Sequence, residues 1–78
     1  PEVGPALANQ VVGAVNRLRA MDLEKLPGVA ETIDWTESVS ALGSNSLTAE
    51  IALDTLGAVV KDRDDLEFAS RNIQDVIC

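Results

Sequence analysis

The chain has no histidine and, among its 78 residues, only one cysteine, one tryptophan and one phenylalanine. Without histidine, imidazole-based zinc sites and the Ser-His and Cys-His nucleophile pairs are excluded. The lone cysteine, Cys78, excludes an internal disulfide framework and fits a reducing, cytoplasmic setting. Few aromatics leave the core to aliphatic side chains, in a chain that is 46% hydrophobic. That suits packed helices better than a small aromatic-cored sheet. Bases are scarce as well: six Lys and Arg against thirteen Asp and Glu give a net charge of −7. Such a charge repels nucleic acid and anionic membrane, so neither is an expected partner. No apolar run approaches the roughly 18 residues that span a bilayer, and nothing resembles a secretory signal. The length makes one domain, residues 1–78, near the lower limit for a core without staples. The chain opens on Pro1 rather than Met, so a piece of a longer protein is expected.

What is present is helical punctuation and helical spacing, which predict an all-α fold, a small bundle of about four helices. Gly4-Pro5 is a start signal, because proline lacks the N–H that a helix's first turn leaves unpaired anyway. Leu7, Val11, Val15 and Leu18 then form one apolar stripe with Arg17 and Arg19 off it, and the spacing predicts a helix over 5–21. Pro27 disfavours helix in the residue before it. A second helix is predicted from Gly28 or Val29 to Leu42, with Gly43 as a left-handed terminator. Trp35, Val39 and Leu42 share its face, Trp35 as a core anchor, and Ile33 on the other side suggests packing against two neighbours.

A third helix starts after Leu47, with Thr48 as N-cap and Glu50 in a first turn where the helix dipole favours acids. Ala52, Leu56, Val59 and Val60 form its stripe, and Gly57 is expected to let another backbone approach closely. Lys61 to Asp65, "KDRDD", reads as a charged hinge or a capped break, with Asp62 as the cap. Leu66, Ala69, Ile73, Val76 and Ile77 give the final stripe.

No residue carries a catalytic signature. The acids of "KDRDD" are of the type that binds divalent cations, but without a glycine-shaped loop they read as a solvated face, and no metal site is assigned. Asp22 and Glu24 read as loop polarity. The start of the second helix, "LPGVAETIDW", is a potential anion receiver, since first-turn N–H groups lack partners and carry partial positive charge. Glu31 and Asp34 stand against that role and require another explanation.

"RLRAMDLEKLPGVAETIDW", then "ALG", then "DTLGAVVKDRDD" resembles the C-terminal lid of MoxR-family AAA+ ATPases, in the branch associated with carbon monoxide dehydrogenase-type maturation proteins. The resemblance runs from about Val11 to Glu67. Its most specific blocks are Arg17-Leu18-Arg19, Pro27 to Trp35 and Asp54 to Lys61. It implies a helical lid over ATP and Mg2+ held by a preceding α/β AAA+ core. It also implies a parent that forms a homo-oligomeric ring, uses hydrolysis to remodel a client or assist metal-cofactor insertion, and works with a von Willebrand A-domain partner. The same resemblance makes Gly28, Val29, Ala30, Glu31 and Thr32 nucleotide-proximal. In many such lids this stretch carries an arginine that reaches the phosphates, and Thr32 stands where that arginine would align. Glu31 is then expected to cap the helix or pair with a cation of a neighbouring domain. The phosphate loop and the strand acids that bind metal are absent, so this chain alone is not expected to bind or hydrolyse ATP.

Two other readings stay open. Gly43, Asn45, Ser46 and Leu47 look like the Gly-x-Asp-Ser-Leu turn on which acyl and peptidyl carrier domains hold phosphopantetheine, with Ser46 as the attachment site. Asn45 stands where that family has Asp, and the loop also reads as a plain connection with a Ser/Thr cap. The third reading is a helical protein-interaction module.

Overall fold

The computed structural model describes residues 4–78, and every regular element among them is helical. Helix α1 spans Pro5–Arg19, α2 Val29–Ala41 and α3 Ala49–Thr55; a 3₁₀ turn follows at Leu56–Ala58, then α4 at Arg63–Arg71 and α5 at Ile73–Ile77. The predicted punctuation does its work. Pro5 occupies the first position of α1. The Thr48 hydroxyl accepts the Ile51 amide at 3.2 Å, and the Asp62 carboxylate accepts the Asp65 amide at 3.1 Å. Gly43 ends the α2 connection with φ +79°, a conformation that costs glycine nothing and other residues a Cβ clash.

The core is aliphatic around one indole. Leu7, Val11, Val15 and Leu18 of α1 are buried as one stripe, against Trp35 and Val39 of α2, Ala52 and Leu56, and Ala69, Ile73 and Val76 near the C-terminus. Burying each large member stabilises by about 1.5–3 kcal/mol relative to exposure. The radius of gyration, 11.2 Å, matches the roughly 11.5 Å of a globular chain this long.

Several expectations are corrected. Helix α1 ends at Arg19 rather than 21, because the Ala20 amide already divides itself between the Asn16 and Arg17 carbonyls. Leu42 lies beyond the last turn of α2, as its C-cap, and is 57% exposed, so the buried face ends at Val39. Helix α2 does pack against two neighbours, α1 on one side and α3 with its 3₁₀ turn on the other, but Ile33 is 54% exposed and is not the residue that makes the second contact. Val59 and Val60 are buried as expected but outside the helix. Thr55 turns its hydroxyl onto the Ile51 carbonyl at 2.7 Å, the chain tightens into the 3₁₀ turn, and the Leu56 carbonyl accepts both valine amides. Gly57 admits no close backbone: nothing stands within 4 Å of where its Cβ would be. The last predicted segment is two helices. Asn72 divides them, its side-chain amide donating to the Phe68 carbonyl at 2.8 Å and so competing with the helical ladder.

Asp65 overturns the solvated reading of "KDRDD". It is 4% exposed, and its two carboxylate oxygens accept the backbone amides of Glu24 and Lys25 at 2.8 and 2.9 Å. The connection from α1 to α2 is thereby strapped to the first turn of α4.

Candidate functional site

The α1–α2 connection matters because it positions the start of α2 beside α1. Between them lies an open cleft of about 310 Å³. The α1 wall is Val12, Val15, Asn16 and Arg19; the other wall is Pro27, Gly28, Val29 and Thr32. Pro27 is buried, and its carbonyl accepts Nη1 of Arg19 at 2.6 Å, which fixes that guanidinium at the cleft edge.

Of the five residues expected together, the cleft gathers Gly28, Val29 and Thr32. Ala30 is exposed outside it, and Glu31 borders a separate hollow with Lys25, Leu26 and Lys61. Glu31 acts as a cap: its Oε1 accepts the Gly28 amide at 2.8 Å. Thr32 donates its hydroxyl proton to the Gly28 carbonyl at 2.8 Å. The acid at this helix end is thus explained. It takes an N–H that an anion would otherwise use, and it sets a negative charge beside the position.

The cation of the cleft is Arg19, which lies off the apolar stripe of α1. Its signal was the Arg17-Leu18-Arg19 block, in which both arginines end on backbone carbonyls. Arg17 Nε donates to the Val76 carbonyl at 2.6 Å. Val12 and Val29 of the cleft wall are 49% and 79% exposed, and Ile33, one turn beyond Val29 on α2, is 54% exposed. The mouth of the cleft is therefore apolar.

The remaining candidates are dispersed. Ser46 lies in the α2–α3 loop before the Thr48 cap, not at a helix start, and its backbone carbonyl accepts the Ser44 hydroxyl at 2.7 Å. Asp34 faces away from the cleft, in a groove on the other flank of α2. Among the described residues, no three His, Cys, Asp or Glu side chains are grouped to hold a metal ion, and no helix is long and apolar enough to cross a membrane. No family model matches the chain, and neither does any curated protein or solved structure.

Proposed function

We propose that this chain is the C-terminal lid of a MoxR-type AAA+ ATPase, closing over ATP bound to a preceding α/β core and coupling hydrolysis to client remodelling or metal-cofactor insertion. The observation that carries the reading is the cleft between α1 and the start of α2. It is walled by parts of two of the three most specific blocks of the resemblance, Arg19 from one and Pro27, Gly28, Val29 and Thr32 from the other. The residues fit one wall of a nucleotide site. Valines suit the flat apolar face of a base, and the Arg19 guanidinium is the cation that a phosphate needs. They do not make a whole site: Glu31 occupies the helix end, and the phosphate loop and the ligands of Mg2+ belong to the core. The apolar mouth formed by Val12, Val29 and Ile33 suits coverage by that core. On this reading the lid moves as a rigid body with nucleotide state.

Calorimetric titration of the chain with Mg-ATP, beside ATP turnover of the full-length parent, tests the proposal. The chain alone is expected to bind negligibly. In the parent, Gly28→Pro removes the amide that Glu31 accepts and forces φ away from its −109°. It should lower turnover, Arg19→Ala should raise KM for ATP, and Thr32→Ala should do less than either. Micromolar binding by the chain alone, or full turnover with Gly28→Pro, would overturn the assignment.

A further inference from the structure

A second concave surface lies on the flank of α2 turned away from Val29 and Thr32. Asp34, Glu37, Ser38 and Ala41 recur at three, four and seven residues, which at about 100° per residue makes one stripe. Facing it are the end of α3, the 3₁₀ turn and Lys61. The groove between consists of two adjoining hollows of about 420 and 470 Å³ that share Ser38, Ala41 and Ala58.

Its floor is made of small residues. Ala41, Gly57 and Ala58 leave room that larger side chains would fill, and a Cβ at Gly57 would meet nothing within 4 Å. Leu42 stands at one end, 57% exposed. The rim is acidic, with Asp34 and Glu37 on one side and Asp54 on the other. Lys61 is the one base along it, and its ammonium turns back toward the Gly57 carbonyl at 3.5 Å. The groove is also fixed in width, because the Trp35 indole on α2 is hydrogen-bonded to Thr55 on α3 at 2.7 Å. Such preorganisation lowers the cost of binding.

We propose that this groove docks a basic amphipathic helix of a partner protein. An apolar side chain of the partner enters over Ala41, Gly57 and Ala58, and flanking Lys or Arg side chains pair with Asp34, Glu37 and Asp54. Charge chooses the occupant. A neutral apolar segment would strip water from three carboxylates and return no partner, and an acidic one would be repelled. A second copy of this chain brings a charge of −7 to a chain of −7. Backbone geometry chooses the helix. Both walls are helical and present no strand edge, so the partner must satisfy its own backbone hydrogen bonds.

The test is a titration of the isotope-labelled chain with a 14-residue amphipathic Leu/Lys peptide, read from backbone amide shifts, with a Leu/Glu peptide of the same pattern as control. Shifts should concentrate at 34–42 and 54–61. Affinity should fall at least tenfold in Gly57→Leu, which fills the floor, and in the combined Asp34→Asn, Glu37→Gln, Asp54→Asn variant, whose three sites are exposed and tolerant of change. If Gly57→Leu fails to fold by circular dichroism, the shift map and the combined variant decide. No binding, equal binding of the Leu/Glu peptide, shifts spread over every acidic surface, or a folded Gly57→Leu that binds as before would each overturn the proposal. None of these outcomes depends on the lid reading.

Discussion

The Trp35 indole N–H donates to the Thr55 hydroxyl at 2.7 Å, and that hydroxyl donates its own proton to the Ile51 carbonyl at 2.7 Å. Trp35 is 0% exposed and Thr55 8%. One small side chain thus satisfies the only polar side-chain atom of the largest core residue and is itself anchored one turn back on its own helix.

Thr55→Val keeps the shape and removes both bonds, leaving a buried indole N–H unpaired. It should destabilise by about 1–3 kcal/mol. Thr55→Ser, which retains the hydroxyl, should cost less. Urea denaturation of the two variants checks the ranking, and equal stability would remove the hydrogen bond from the account.

Leu56 is 0% exposed where α3 passes into the 3₁₀ turn. Leu56→Ala should cost about 2–5 kcal/mol, because a cavity adds to the lost transfer energy. Thr48→Ala should cost only about 1 kcal/mol, the worth of a helix cap. Denaturant melts that ranked them the other way would contradict the packing described.

Asp65→Asn offers one acceptor oxygen where the carboxylate offers two, so either the Glu24 or the Lys25 amide is left facing an NH₂ group. Stability should drop by about 1–3 kcal/mol. The same two amides should exchange hydrogen faster than those of α1. Unchanged exchange at Glu24 and Lys25 would show that the strap does not hold the connection.

Alanine separates two glycines. At Gly43, with φ +79°, it should cost about 1–2 kcal/mol. At Gly57, where a Cβ meets open space, it should be neutral or stabilise by up to about 1 kcal/mol. Thermal melts of the two variants give the comparison directly.

Local chemistry was the legible part of this fold. Pro5, Gly43, Thr48 and Asp62 act within one turn of chain, so their roles could be read in place. Stripe periodicity found the core residues but not their backbone: Val59 and Val60 are buried in either conformation, so their spacing does not report the 3₁₀ turn that precedes them. Asn72 carried a break that no glycine or proline announced. Asp65 was illegible because the amides it binds lie about forty residues upstream, and separation in sequence hides partners that only the fold unites. At the candidate site, Gly28, Val29 and Thr32 were legible from the block they share, and the capping by Glu31 was among the roles foreseen. Arg19 belongs to another block of the resemblance, and only the fold brings it beside them.

The grip of Arg17 on the Val76 carbonyl ties the last helix of the chain to the first. Helix α5 covers Ile73–Ile77, too short to persist without tertiary support. Gly13 leaves room for that grip: a Cβ there would lie 3.3 Å from Nη1 of Arg17, and the guanidinium would have to give by a few tenths of an ångström. Ile73 and Val76 belong to the same buried cluster as Trp35, and α5 packs on both α1 and α3, so the C-terminal turn should open with the core rather than fray ahead of it.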